Sequence, residues 1–372
     1  MRRPASLTLV IALALAVPLG AVRGGEPPPW APDAVPTDPD MARLVAAAQH
    51  EGALNVIALP RDWCNYGAVI DSFATKYGIE VNENDPGDSS ADAIQAIIDH
   101  RGSDGPEAPD VVDVGPPFAE LAREQGLLRP YRVRTWRTIP AAAREIAGHW
   151  YAGYYGLLAF EVNADLVSDP PSDWTDLLAE AYDQPVALGG DPRVAQQALQ
   201  AVYVAAQVNG GSLDDAAPGL DFWEQVFDAG NLLPTVASPD MIDDGTTPIA
   251  IRWTFNAMAH RDAADGERDI GVIVPPSARV AGMYAQAISS FAPHPNAARL
   301  WLEYLYSDEG QRTFAEGYCH PMRLPDLIER GAIPQDVLDL LPDAAGAVFP
   351  TVSQSNAAAD VIINGWGSVI GE

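Results

Sequence analysis

Basic side chains are scarce in this 372-residue sequence: 22 Lys and Arg stand against 51 Asp and Glu, a formal net charge of −29. So acidic a surface repels nucleic acid and anionic lipid, which argues against either as a partner. It leaves the charge of a small ligand open, because one pocket is a small part of the surface. Cysteine is nearly absent. Cys64 and Cys319, far apart and accompanied by six scattered His, make a structural zinc site a poor fit. After the first two dozen residues no apolar run is long enough to span a bilayer. Catalytic signatures are missing as well: there is no G-x-S-x-G elbow, P-loop, dinucleotide fingerprint or H-E-x-x-H. No cofactor, no metal and no catalytic residue is therefore expected.

What is present is ordinary globular material, 48% hydrophobic and 20% charged, in a chain long enough for two cores. Residues 1–24 differ. Arg2 and Arg3 precede the apolar run 7–19, followed by Gly20-Ala21-Val22-Arg23-Gly24, the basic, apolar and small-residue regions of a secretory signal peptide. Cleavage falls at Gly24–Gly25, with Ala21 as the alternative. No Cys lies near that point, so no lipid anchor is expected and a free periplasmic protein follows. Residues 25–39, with six prolines, read as an extended linker.

From residue 40 strands and helices alternate. An Asp40-capped helix runs to Glu51 and stops at Gly52, and LNVIAL (54–59) is a buried strand. A helix over 68–77, a strand over 79–82, a helix over 91–100 and a strand over 110–114 follow. The pattern resumes after the aromatic stretch Trp150-Tyr151-Ala152-Gly153-Tyr154-Tyr155-Gly156. There the spacing predicts a strand over 157–162, a Ser172-capped helix over 173–182 and a strand over 186–188. Next come a long helix opening at Pro192, a helix over 213–228, a strand over 249–253 ending in Thr254-Phe255-Asn256, and a strand over 269–274. The tail reads as short helices, 325–330 and 335–341. Such alternation predicts an α/β protein with mainly parallel sheets and ligand at the carboxyl ends of the strands.

Residues 281–317 are the most telling. A small-residue strand (282–290), a Pro/His turn and a helix capped by Asn296 lead through Leu300, Trp301, Tyr304 and Leu305 to a break at Ser307–Gly310 and a second helix over 311–316. The wording HPNAARLWLEYLYSDEGQ resembles the late signature of periplasmic solute-binding proteins of ABC importers, in the group that contains iron, polyamine, thiamine and phosphonate binders. The resemblance covers roughly residues 54–325 as a pattern of placed segments. It implies a type II periplasmic-binding-protein fold, two α/β lobes joined by two crossover segments, with lobe 1 over 40–152 and 279–308 and lobe 2 over 153–278 and 309–372. A small-molecule ligand, an inner-membrane ABC permease as partner and a monomeric state go with it. It also sets Cys64 and Cys319 in loops beside the cleft. That implies a bridge, where residue types alone leave open two unconnected core residues.

On this resemblance the cleft loops supply the ligand contacts. Ser89 and Ser90 stand at a helix N-terminus, as caps and as ligand donors. Gly190 and Asp191 hold the matching place in the second lobe, and Arg252 with Trp253 ends a strand aimed at the cleft. Trp63, Tyr66, Tyr154 and Tyr284 are aromatic wall candidates, each of which is core on a blander reading. Asp62, Asp88 and Asp113 would meet an ammonium, whereas Arg252 and the helix N-termini would meet a phosphate or carboxylate. Both ligand classes stay open. Gly87-Asp88-Ser89 resembles the nucleophile loop of a GDS-type esterase, yet no His has the Asp three residues before it that such chemistry needs. Ferric binders of the resembled group place paired tyrosines later in the chain than Tyr154-Tyr155, which disfavours iron. A sensory binding protein and a ferric-iron binder remain as alternatives to import of an organic solute.

Overall fold

The computed structural model describes residues 39–179 and 185–372. The expected signal peptide and all of the linker but Pro39 lie outside the described residues, as does the end of the helix expected over 173–182. Along the chain the strands are β1 (Ala53–Ile57), β2 (Glu80–Asn84), β3 (Val111–Val114), β4 (Leu128–Arg129), β5 (Trp150–Gly156) and β6 (Leu158–Asn163). They continue with β7 (Val186–Leu188), β8 (Leu232–Val236), β9 (Ile249–Trp253), β10 (Ile270–Ile273), β11 (Gly282–Ser289) and β12 (His320–Pro321).

Two halves result. In the first, β12, β5, β11 and β3 pair in that order, β4 also pairs with β11, and the parallel pair β1–β2 lies alongside. Asn55 of β1 ties that pair on, its N–H donating to Asp110 Oδ2 at 2.7 Å while its carbonyl accepts from the Asp110 N–H. In the second half the order is β10–β6–β9–β7–β8. The chain crosses between β5 and β6, and returns between β10 and β11. This is the type II periplasmic-binding-protein architecture.

The sheets are mixed, which corrects the expectation of mainly parallel ones. β1–β2, β7–β8 and β7–β9 are parallel. β11 runs antiparallel to β3, β4 and β5, and β6 antiparallel to β9 and β10. A parallel neighbour needs a crossover helix within one sheet. β6 and β11 instead enter their sheets from the other half, so they arrive in the opposite direction. The tail also divides differently from the expectation for 309–372. The helix Asp308–Glu316 packs on the helix Tyr66–Tyr77, and β12 pairs with β5, so both belong with the first half. The helix Val352–Val369 packs on Ala217–Asp228 and Gln196–Val208 in the second half and on Pro116–Glu124 in the first.

Several caps are not where local sequence puts them. The helix Pro295–Leu305 has His294 at its N-cap without a side-chain bond, so Asn296 is not the cap. Its free donors are taken by Glu51, the last residue of Pro39–Glu51, whose carboxylate accepts from the Asn296 N–H at 2.9 Å and the Ala297 N–H at 2.8 Å. An acid at a helix N-terminus complements the exposed N–H groups and the helix dipole. Glu51→Ala is expected to lower the unfolding free energy by about 1–2 kcal/mol. Urea denaturation checks this, and an unchanged midpoint would count against the cap. The long helix of the second half starts at Gln196, not Pro192, because Asp191 first makes a tight turn, its carbonyl accepting from the N–H groups of Val194 and Ala195. Asp173, not Ser172, caps the short turn Trp174–Leu178.

Candidate ligand-binding cleft

Loops at the carboxyl ends of β1, β2, β7 and β8 converge with the end of β3 on a cavity of about 330 Å³ between the halves. Of the expected site residues, Trp63, Asp88, Ser89, Ser90, Asp113, Gly190, Asp191 and Tyr284 line it. Asp62, Tyr66, Tyr154, Arg252 and Trp253 do not. Ala58, Pro60, Gln196, Gln197, Val194 and Val236 line it without having been anticipated. The two glutamines had one faint signal, their place in the first turn after a glycine-rich loop.

Asp113 is the centre of the buried wall, 6% exposed. Its Oδ2 accepts from the hydroxyls of Tyr154 at 2.6 Å and Tyr66 at 2.7 Å. The Trp63 indole N–H donates in turn to the Tyr154 hydroxyl at 2.8 Å, and the Gln286 amide to that of Tyr66 at 3.0 Å. Tyr66 and Tyr154 thus stand behind the cavity wall and orient the carboxylate and the indole. Burial pushes the Asp113 carboxyl up to about 7, against hydrogen bonds from Tyr154 and Tyr66 that hold it down. Burial, then the Asp113 charge, raises both tyrosines well above the ordinary range.

Trp63 is held from two sides. Its ring meets Tyr284 and Phe255 edge-on at centroid distances of 5.3 and 5.2 Å. Next to it a disulfide joins Cys64 to Cys319, with a Cα–Cα distance of 5.5 Å. Trp253 is fully buried behind this group, stacked on Phe255. Its indole N–H donates to the Tyr284 hydroxyl at 3.3 Å. Trp253 packs directly over Gly282, where any Cβ would fall 1.9 Å from the indole.

Arg252 takes a different place from the one expected. It stands opposite Ala159 in the β6–β9 pair, so it shares a sheet face with Glu161, two residues along. It donates to Glu161 Oε2 at 2.7 Å, and His260 Nδ1 meets the other oxygen at 2.5 Å. Glu161 is wholly buried, so Arg252 is committed to neutralising it and is not available to a ligand.

The helix Ser90–Asp99 is likewise occupied at its N-terminus. Ser89 and Asp92 close a reciprocal capping box, with the Asp92 N–H on Ser89 Oγ at 3.2 Å and the Ser89 N–H on Asp92 Oδ2 at 3.1 Å. The Ala91 N–H donates across the cleft to the Val194 carbonyl at 3.2 Å. Ser90 turns inward, its Oγ accepting from the Gly115 N–H at 3.2 Å. On the opposite side Asp191 is bound by Arg193 at 2.6 Å, which lowers its pKa, and Arg193 is held by Glu372. Partial burial, then repulsion from Asp92 and Asp85, raises Asp88 at the rim. Tyr154 and Tyr155 diverge, the first toward Asp113 and the second stacked on His320. Among the described residues no group of three or more His, Cys, Asp and Glu is placed to hold a metal ion.

Two α/β halves with a ligand-sized, aromatic-walled cleft at their strand ends have the form of a solute-binding protein. The sequence profile of the bacterial extracellular solute-binding proteins matches residues 107–345, and the chain belongs to that family. Solved structures of the same fold include the periplasmic binding protein AfuA of Actinobacillus pleuropneumoniae, solved with fructose-6-phosphate. It is 18% identical, with 86% of this chain and 99% of that one covered and a TM-score of 0.69. Iron-bound HitA of Pseudomonas aeruginosa is 16% identical (85% and 99% covered, TM-score 0.61). A putative spermidine/putrescine ABC transporter protein of Listeria monocytogenes is 14% identical (84% and 98% covered, TM-score 0.61). The family is one of extracellular binding proteins. No helix among the described residues is long and apolar enough to cross a membrane.

Proposed function

We propose that this chain is the periplasmic substrate-binding component of an ABC importer. It captures a small organic solute, phosphate- or carboxylate-bearing or polyamine-like, between its halves and presents it to an inner-membrane permease. One observation carries the reading: a cavity of about 330 Å³ is lined from both halves and spanned by the Ala91–Val194 hydrogen bond. A solute touching both walls binds the closed arrangement more tightly than the open one, and that difference drives closure. No covalent step is involved.

A thermal-shift screen of phosphonates, sugar phosphates, polyamines, amino acids and ferric complexes tests this, read together with small-angle scattering. A cognate solute at 100 times its Kd adds about 2.7 kcal/mol to the unfolding free energy and should also reduce the radius of gyration. Trp63→Ala removes one wall and is expected to weaken that solute about tenfold or more. A family-wide panel that moves neither the melting temperature nor the radius would sink the proposal.

A further inference from the structure

Two residues that line the cavity each carry a buried oxygen without a hydrogen-bond partner: Asp113, through Oδ1, from the first half and Gln196, through Oε1, from the second. Both side chains are more than nine-tenths buried. The identity of the glutamine atom follows from its neighbours. Gln200 donates through Nε2 to the Val280 carbonyl at 3.2 Å, which turns its Oε1 toward Gln196. Gln196 must then present its Nε2 to Gln200, at 3.5 Å, and its oxygen remains free. The two orphans are acceptors, and buried acceptors without donors are costly enough to be rare in native proteins.

Resting on the binding-protein reading above, we infer that the cleft recognises a protonated amine carrying no compensating anionic group, with its N–H donors shared between Asp113 Oδ1 and Gln196 Oε1. An ammonium has three donors and no acceptor, so one group satisfies orphans on both halves and links them. Trp63 and Tyr284 add aromatic faces beside the carboxylate, which favour a cation over an anion. Among the described residues no Lys, Arg or His lines the cavity, the Ser89–Asp92 box and Val194 occupy the N-terminus of Ser90–Asp99, and Arg252 serves Glu161. An amino acid therefore finds an acid for its ammonium and no cationic side chain for its carboxylate. Asp88 at the rim gives a second cationic end of a diamine a place to lie.

The site also couples binding to protons. The titratable groups facing Asp113 are Tyr66, Tyr154, Tyr284 and Tyr306, all pushed up by burial and therefore neutral, with Gln286 alongside. With the carboxyl near 7, the empty protein at neutral pH holds a mixture of acid and carboxylate, and an ammonium selects the carboxylate. Amine binding should therefore release a proton below about pH 7 and release little above about pH 8.

The experiment is titration calorimetry of the full chain with putrescine, butylamine, γ-aminobutyrate and fructose-6-phosphate, in buffers of different ionisation heat. Amines should bind at least about tenfold more tightly than γ-aminobutyrate. Asp113→Asn should weaken them about 100-fold and abolish proton release, and Gln196→Ala should cost about tenfold. Asp62→Asn, an exposed acid outside the cavity, should change nothing, and circular dichroism confirms that each variant is folded. Tighter binding of fructose-6-phosphate or γ-aminobutyrate than of either amine would overturn this inference and leave the binding-protein reading intact. Amine binding that survives in folded Asp113→Asn would overturn it too, as would no heat from either amine.

Discussion

Replacing Cys64 and Cys319 together by alanine is expected to lower the unfolding free energy by several kcal/mol, with a ceiling of about 5.5 from the chain-entropy relation. The bridge joins residues 255 apart in sequence, so its loss releases a very large loop in the unfolded chain. Alanine avoids burying a new hydroxyl at two fully buried positions. The native geometry is built for close contact here. A Cβ on Gly317 would fall 2.6 Å from the Asn65 nitrogen and the Cys64 carbonyl carbon, so these two backbone segments pack directly on each other. Cys64 and Asn65 hold left-handed backbone, at φ 47° and 61°, which non-glycine residues rarely adopt without support from their surroundings. Trp63 precedes them in the same turn, so the variant should also bind the cognate solute more weakly. Urea unfolding of oxidised wild type, reduced wild type and the double variant provides the check. Equal midpoints for all three would show that the bridge contributes nothing.

The second large effect lies in the pH dependence of stability. An aspartate titrates near 3.9 in an unfolded chain, and Asp113 titrates near 7 when folded. Between those values the native state binds more protons than the unfolded state. The contribution of Asp113 is therefore fully present below about pH 4, declines through the interval and is gone above about pH 7. The width of that interval sets a ceiling of about 4 kcal/mol on the decline. His320 runs the other way. Burial lowers it to about 4 from an ordinary 6.5, so stability rises with pH across that window. The two slopes oppose each other in the wild type, and Asp113→Asn should remove the falling one. The difference in unfolding free energy between variant and wild type should move in favour of the variant from pH 4 to pH 8. If it stays constant, the carboxyl is not buried as described.

How far the sequence reached is best seen at individual residues. The loops at the carboxyl ends of the strands were legible because turn residues between apolar runs are a local signal. Together with the family resemblance, these loops and the strand over 110–114 put Trp63, Asp88, Ser89, Ser90, Asp113, Gly190 and Asp191 on the expected cleft. The Ser89 cap was legible for the same reason. Arg252 was misplaced because a strand's end shows that a residue is near the cleft, not which face it takes. That face was set by Glu161, 91 positions earlier in the chain. The helix Val352–Val369 was not among the short helices expected for the tail. Its Gly365 allows close packing, since a Cβ there would meet Leu220 at 2.3 Å.

The sequence by itself determined the α/β alternation, the Ser89 cap and most of the loops that border the cleft. Each of these depends on residues within a turn or two of one another. Tertiary structure alone decided the strand directions, the Glu51 cap on a helix some 245 residues away and the commitment of Arg252 to Glu161. It also decided which two oxygens are left without a partner at the cavity wall. The reason is physical: whether a buried polar atom is satisfied depends on groups brought to it from distant parts of the chain, and no local spacing encodes that.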